Sequence, residues 1–181
     1  MRTFIRLLVS IGILALPGLA YGDVLSTSEL GFTIKNTVQV SVSPEKAYRR
    51  MIDRVHQWWD GAHTFGGDAA TMRMEDKVGG CLCEGLPNGG EVQHMEIIHV
   101  QPARMLRMTG GLGPLQTVAV VGIMTWEFVA PDGGTQISLT YTVGGYTKNG
   151  LTDLATPVDN VLKGQLKRLE RYLNTGSPVE P

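Results

Sequence analysis

Six pairs of adjacent glycines divide the chain into short segments that have the character of β-strands. Two pairs belong to the turn sequences Pro87-Asn88-Gly89-Gly90 and Pro131-Asp132-Gly133-Gly134. In such turns proline restricts φ, and Asn, Asp and Gly tolerate positive φ. Between the pairs, apolar and polar residues alternate, as in 137–143, where Ile, Leu, Tyr and Val alternate with Ser and Thr. This pattern predicts an antiparallel sheet built from hairpins.

The predicted strands all have this alternation or lie between two turn signals. They are 31–42, 80–86, 91–100, 104–109, 118–130 and 135–144, with a seventh near 70–76. Ser43 and Pro44 follow the first strand and predict the N-cap and first residue of a helix. The order is therefore one strand, one helix and then a run of antiparallel strands.

The chain ends in a predicted amphipathic helix, because apolar residues recur at spacings of three and four over 154–173. Thr156 is its expected N-cap, with Asp159 capping back onto the first turn. Residues 151–155 are either a separate turn or part of the same helix, kinked at Pro157. The charged residues of the helix, Asp159 among them, are expected on the solvent side. Helices packed on one face of a sheet give an α+β fold class.

The first 22 residues have the pattern of a secretory signal peptide. Two arginines precede an apolar run over 7–16, and Ala20-Tyr21-Gly22 supplies small residues at the −3 and −1 positions. The run is shorter than the roughly 20 residues that a transmembrane helix needs. We therefore expect cleavage between Gly22 and Asp23, a periplasmic or secreted protein, and no stable membrane span after cleavage.

The length of 181 residues suits a single domain. We assign 1–22 to the signal peptide, 23–175 to the domain and 176–181 to a polar tail. The net charge is −1, and it becomes −3 when the two leader arginines are removed from the 16 basic residues, the 17 acidic ones being unchanged. A weakly acidic chain without a basic run predicts no nucleic-acid partner and no electrostatic capture by an anionic membrane. The oligomeric state is not indicated.

The two cysteines, Cys81 and Cys83, are two positions apart on a predicted strand and therefore point to the same face. Ideal strand geometry separates their Cα atoms by roughly 6.5–7 Å, near the upper limit for a disulfide. Three interpretations stay open: two small core residues, a disulfide, or a metal or redox role. Two ligands without nearby partners make a poor zinc site, so no metal is predicted. No cofactor is predicted either.

Several segments, in a fixed order, resemble a known superfamily. They are 40–48 (VSVSPEKAY), 56–59 (HQWW), Val78-Gly79-Gly80 with Glu84, 100–107 (VQPARMLR) and 158–169 (VDNVLKGQLKRL). Together they resemble the START/Bet v 1-like (SRPBCC) superfamily, in the branch with bacterial polyketide cyclases and Hsp90-activator homologues. The resemblance covers about 33–173. It implies a helix-grip fold, in which a curved seven-stranded antiparallel sheet wraps around the long C-terminal helix. The cavity between them binds lipids, sterols, polyketides or other apolar molecules in such proteins.

The predicted ligand-binding residues are large apolar or aromatic side chains expected to face that cavity. They are Trp58, Trp59, Leu106, Met108, Met124, Trp126, Tyr141, Leu162 and Leu166. Core packing is the ordinary role of such residues. Two adjacent tryptophans at a helix end cannot occupy the same place, so one of Trp58 and Trp59 is expected at the cavity mouth.

The polar candidates for catalysis are His94, Glu96, Arg104 and Tyr141. On an ideal strand His94 and Glu96 share one face, where they form an acid/base pair if that face is the cavity and are ordinary surface residues if it is solvent. Arg104 is either a ligand-carboxylate partner or a solvated charge. The sequence contains no Gly-x-Ser-x-Gly, His-Glu-x-x-His or phosphate-binding loop.

Two functions follow from these observations. The first is a secreted or periplasmic protein that binds a small apolar ligand, which is lipid-like, sterol-like or polyketide-like. The second is a cyclase/aromatase- or hydrolase-type enzyme that uses the same cavity, with His94, Glu96, Arg104 or Tyr141 in acid/base or oxyanion roles. A cavity filled by side chains would leave a role for the surface alone. The absence of a compact polar motif in the sequence favours binding.

Overall fold

The computed structural model describes residues 22–131 and 133–180. Its strands share one antiparallel sheet. They are β1 (Gly22–Ser28), β2 (Gly31–Val40), β3 (Met72–Met74), β4 (Cys81–Gly85), β5 (Glu91–Gln101), β6 (Met105–Thr109), β7 (Ala119–Val129) and β8 (Thr135–Tyr146). Their order across the sheet is β1-β2-β8-β7-β6-β5-β4-β3, so β1 and β3 are the two edges of an open sheet. Apart from Gly22, the predicted signal peptide lies outside the described residues.

The helices are α1 (Pro44–Asp53), α2 (Val55–Trp58) and the C-terminal α3 (Ala155–Thr175). All three pack against the sheet or against one another, and α3 lies on β2 and β1. Within the described ranges, no helix has both the length and the apolar content needed to cross a membrane. The predicted α+β class, with its antiparallel sheet and C-terminal helix, is therefore confirmed.

The sheet has eight strands, so the prediction of seven is wrong. The additional strand is β1, which pairs with β2 at one edge of the sheet. Its side chains are exposed or only half-buried, and its register shifts between Val24 and Ser26. A strand without a buried face has no apolar–polar alternation, which is the signal on which strand prediction depends. The predicted short strand near 70–76 is present as β3.

Helix α1 begins as the sequence predicts. Ser43 has an extended backbone, its hydroxyl oxygen accepts a hydrogen bond from the Lys46 N–H at 3.4 Å, and Pro44 follows as the first helical residue. The helix buries Ala47, Tyr48, Met51 and Ile52. The cap therefore fixes where β2 ends and where the buried face of α1 begins.

Replacing Ser43 with alanine is expected to lower the free energy of unfolding by about 1 kcal/mol, since one helix N–H loses its acceptor. Urea unfolding measures the change. The matched variant Ser43→Asp keeps a capping oxygen and is expected to stay close to the original stability. If Ser43→Asp loses as much stability as Ser43→Ala, the capping hydrogen bond does not contribute to the free energy of unfolding.

Helix α3 begins at Ala155, two residues before the start that an N-cap at Thr156 predicts, and it follows a 3₁₀ turn over Thr152–Leu154. Thr156 is inside the helix and is not its N-cap. Pro157 is tolerated in the first turn, where a backbone N–H has no intrahelical acceptor. Asp159 does not cap the helix and does not face solvent. It is buried, and its Oδ1 accepts a hydrogen bond from Asn36 Nδ2 on β2 at 2.8 Å.

The space between the centre of the sheet and α3 is filled by side chains. Trp58 and Trp126 meet edge to face with ring centroids 6.3 Å apart, and Tyr48 packs on Phe128 in the same way at 5.5 Å. Tyr141 is completely buried. The apolar core is therefore continuous across the middle of the sheet, and a cavity lies toward one end of α3.

Candidate functional site

A cavity of about 470 Å³ lies at the N-terminal end of α3. Three segments and one strand form its wall: the loop after α2, the loop between β6 and β7, the first turns of α3, and β5. The lining residues are Trp59, Ala62, His63, Thr64, Phe65, His94, Leu112, Gly113, Pro114, Leu115, Leu154, Pro157, Val158, Val161 and Leu162. The only polar side chains in this lining are His63, Thr64 and His94, so the cavity suits an apolar molecule with a small polar part.

Two side chains of α3 hold the loop after α2 in place. Gln165 is buried, and its Oε1 accepts a hydrogen bond from the Asp60 N–H at 2.9 Å. Arg168 donates from Nε to the Trp58 carbonyl oxygen at 3.0 Å, so it is not on the solvent side where the helical pattern had placed it. These bonds bring Trp59 against the cavity, where its ring nitrogen donates to the His63 carbonyl oxygen at 3.3 Å.

A β-bulge turns His94 toward the cavity. Leu82 on β4 pairs with Met95, but the next residue, Cys83, pairs with Gln93, so His94 is an extra residue without a partner on β4. Such an insertion reverses which side chains point inward. His94 and Met95 are consequently both buried, whereas Glu96 is exposed.

The partner of His94 is Glu84, and the predicted pairing with Glu96 is wrong. His94 Nε2 lies 2.9 Å from Glu84 Oε2, and the two side chains are only 2% and 0% exposed. Glu84 is on β4 opposite Val92, which makes His94 its diagonal neighbour on β5. A buried carboxylate and imidazole in contact form a group that can bind or transfer a proton.

Backbone N–H groups complete the environment of Glu84. The Phe65 N–H donates to Oε2 at 3.0 Å, and the Gly66 N–H donates to Oε1 at 2.5 Å. A Cβ atom at position 66 would lie 3.0 Å from Oε1, so glycine permits this close approach. The Phe65 ring lies over the imidazole, with centroids 5.7 Å apart and planes inclined by 31°. Glu84 thus orients His94. It also holds the loop after α2, which contains Phe65 and Gly66 and is called the cavity loop below, against the sheet.

The structure divides the predicted ligand-binding residues into two groups. Trp59 and Leu162 line the cavity. The others are buried in the core and do not contribute to the cavity wall: Trp58, Leu106, Met108, Met124, Trp126, Tyr141 and Leu166. These seven side chains therefore pack the core between the sheet and α3 and do not border the cavity at the end of the helix. Contact between ligand and Trp59 or Leu162 stays a prediction.

The remaining catalytic candidates do not come together with His94. Arg104 is exposed. Tyr141 is in the core, where its hydroxyl donates to the Gly110 carbonyl oxygen at 3.1 Å and burial raises its pKa to about 12. Neither Arg104 nor Tyr141 lines the cavity, whereas His94 does, with Glu84 as its hydrogen-bond partner.

Cys81 and Cys83 form a disulfide, which was one of the three open interpretations. Their Cα atoms are 5.4 Å apart, closer than in an ideal strand. The carboxylate of Glu91 completes the one group of potential metal ligands found in the described residues. Since the two sulfurs are bonded to each other, neither is a thiolate free to bind a metal.

Sequence reasoning missed two parts of the site. Glu84 entered only through the family resemblance, although an acidic residue inside the short apolar strand Cys-Leu-Cys-Glu-Gly is itself a signal of a buried partner. The loop 112–115 is the second part, and nothing in its composition indicates that it forms part of a cavity wall. The hairpin turn at 87–90 places Glu84 opposite the segment 92–94. The register of this hairpin is the sequence feature from which the contact between Glu84 and His94 could have been predicted.

No protein-family model matches the chain, and no curated protein matches it significantly. Solved structures do match. A conserved protein of unknown function from Enterococcus faecalis has a TM-score of 0.59 at 15% identity, over 87% of this chain and 78% of that chain. A protein from Rhizobium loti has a TM-score of 0.56 at 19% identity, over 76% and 93%. The Aha1 dimer from Colwellia psychrerythraea has a TM-score of 0.53 at 16% identity, over 80% and 97%. The chain therefore shares with these proteins the fold of an antiparallel sheet packed against a C-terminal helix.

Proposed function

We propose that the protein binds a small, predominantly apolar molecule in the cavity at the N-terminal end of α3. The observation that carries the proposal is the cavity itself, about 470 Å³ with an almost entirely apolar wall and one buried imidazole. Burying apolar ligand surface there contributes about 25 cal/mol per Å². A few polar groups, His94 foremost, would orient the ligand.

Membership of the START/Bet v 1-like superfamily, with its helix-grip fold, is part of this proposal. It is supported by the sequence segments 40–48, 56–59, 100–107 and 158–169 and by the likeness of the fold to that of the Aha1 dimer. Ligand binding between sheet and helix is typical of that superfamily. In this protein the space available to a ligand is displaced toward one end of the helix.

We also propose that the protein acts outside the cytoplasm. The leader pattern in 1–22 supports export, and the disulfide between Cys81 and Cys83 is compatible with an oxidising compartment. Expression in a bacterial host, followed by cell fractionation and mass measurement, tests this. A mature periplasmic chain that begins at Asp23 is expected, and a cytoplasmic chain that keeps Met1 to Gly22 would refute it.

The test of binding is titration with the uncharged fluorescent probe N-phenyl-1-naphthylamine. Val161 lines the cavity from α3, so Val161→Trp is expected to fill part of the space and weaken binding by about tenfold or more. Asn160→Trp places the same side chain on the exposed face of the same helix and is expected to leave binding unchanged. Circular dichroism verifies that both variants are folded. Equal affinities of all three proteins would refute binding in this cavity.

Native mass spectrometry of the protein purified from the periplasm complements the titration. A bound apolar species released by denaturing extraction would support the proposal and give the ligand class. Protein that carries nothing, and that no apolar compound stabilises against heat, would shift the assignment to a role of the surface alone.

The buried Glu84–His94 pair favours one alternative, a hydrolase- or cyclase-type enzyme. In that case His94 acts as the general base and Glu84 positions it. Hydrolysis of 1-naphthyl acetate is a direct test. His94 takes a proton from water, the hydroxide attacks the carbonyl carbon, and the ester C–O bond breaks. The proton leaves with 1-naphthol, and the other product is acetic acid, which gives its proton to the solvent. Turnover that is lost in His94→Phe would support the enzyme, and turnover equal to the background rate would exclude it for esters.

A further inference from the structure

One nitrogen of the His94 ring is left for a ligand. Nε2 is engaged by Glu84, whereas Nδ1 has no hydrogen-bond partner among residues 22–131 and 133–180. The side chain is 2% exposed and lines the cavity. Because the imidazole is part of the cavity wall, a ligand atom that hydrogen-bonds to Nδ1 gains affinity and a fixed orientation.

Glu84 determines which kind of partner Nδ1 accepts. Both of its oxygens accept hydrogen bonds from the N–H groups of Phe65 and Gly66, which can only donate. The Glu84 carboxylate is thus surrounded by donors, and the imidazole tautomer that completes this arrangement carries its proton on Nε2, 2.9 Å from Oε2. In that neutral tautomer Nδ1 carries the lone pair and is a hydrogen-bond acceptor, on a side chain that lines a largely apolar cavity.

We infer that the ligand ends in an acidic hydroxyl group, a carboxylic acid or a phenol, which gives its proton or a hydrogen bond to His94 Nδ1. This inference rests on the proposed binding function, since the apolar remainder of the ligand occupies the cavity. An ether or ketone oxygen can accept a hydrogen bond but has no proton to donate. A molecule with no other polar group would therefore place an oxygen lone pair against the lone pair of Nδ1, which is repulsive. An ammonium group has three donors and would leave some of them without acceptors in this lining.

Burial strengthens the selection. The imidazole is nearly inaccessible to solvent, and the Phe65 ring packs beside it with centroids 5.7 Å apart. A hydroxyl group that reaches Nδ1 therefore competes with little water. The hydrogen bond then contributes as a buried bond does, which corresponds to about tenfold in affinity.

A matched pair of probes tests the inference. 1-Naphthol and 1-methoxynaphthalene have the same ring system, but only the naphthol can donate. Calorimetric titration at pH 8 is expected to show about tenfold tighter binding of the naphthol. The preference is expected to vanish in His94→Phe. It is expected to persist in His99→Phe, which changes the other histidine of β5, outside the cavity wall.

The outcomes separate the inference from the function on which it rests. Equal binding of both probes by the unmodified protein would overturn the hydroxyl inference and leave apolar binding intact. Failure of both probes to bind would overturn the binding function, and the inference with it. Nitrogen-15 NMR of the free protein adds a readout that needs no variant. A neutral His94 that carries its proton on Nδ1 would overturn the inference, and a proton on Nε2 would support it.

Discussion

Replacing Glu84 with leucine is expected to lower the free energy of unfolding by about 3–5 kcal/mol, the cost of breaking a buried pair by removing one partner. The leucine would leave His94 Nε2 without its acceptor. It would also release the N–H groups of Phe65 and Gly66, which now donate to the carboxylate at 3.0 and 2.5 Å. Because these residues belong to the cavity loop, the variant is also expected to bind apolar probes more weakly.

Urea unfolding of three variants measures this effect. Glu96→Leu is the matched control, since Glu96 is exposed on β5, and its stability is expected to change by less than about 0.5 kcal/mol. The double variant Glu84→Leu with His94→Leu removes both members of the pair. It is expected to be more stable than Glu84→Leu alone, because no polar side chain is left buried without a partner. A single Glu84→Leu variant as stable as Glu96→Leu would contradict the pairing.

The second large effect is expected at alkaline pH and comes from Tyr141. Burial raises the pKa of its hydroxyl from 10.0 to about 12. Between those values the unfolded chain releases the proton and the folded chain keeps it. The resulting stabilisation is complete below pH 10 and is lost as the pH rises toward 12, in total about 3 kcal/mol. A phenylalanine at this position has no proton to release, so this part of the pH dependence is expected to disappear.

Unfolding of Tyr141→Phe at several pH values gives the test. At pH 8 the variant lacks the hydrogen bond to the Gly110 carbonyl oxygen and is expected to be less stable by about 1 kcal/mol. Near pH 12 the order is expected to reverse. Tyr146→Phe, at a residue that is 70% exposed, is the control and is expected to follow the unmodified protein. Parallel curves for the unmodified protein and Tyr141→Phe would show that the buried hydroxyl does not control alkaline unfolding.

The fold could be predicted where a pattern reflects a buried face. The alternation in β7 and β8, the repeat of α3 and the cap at Ser43 are each produced by one side packed against the core, and each element was predicted with errors of one or two residues at its ends. Strand β1 was not predicted, because an edge strand with exposed side chains has no such pattern. Asp159 was misplaced because helical periodicity does not reveal a buried partner such as Asn36.

The site was predicted less well, and for two physical reasons. One inserted residue in β5 reverses the inward and outward positions, so the assumption of an unbroken strand gave His94 the wrong carboxylate. The position of the cavity depends on side-chain volume in three dimensions. Trp58, Trp126 and Tyr141 fill the centre, and no one-dimensional pattern distinguishes a side chain that lines a space from one that occupies it.

The order of the strands also has a consequence for how the chain folds. Going across the sheet, each described strand pairs with a neighbour in sequence, except where β2 pairs with β8 and joins Gly31 to Gly144 and Val40 to Thr135. Because Val40 and Thr135 are far apart in the sequence, pairing them closes a long loop, and this costs chain entropy before the contacts between the two strands form. The consecutive strands from β3 to β8 pair as hairpins, which can form locally. The pairing of β2 with β8 is therefore expected to be the late step that limits the folding rate.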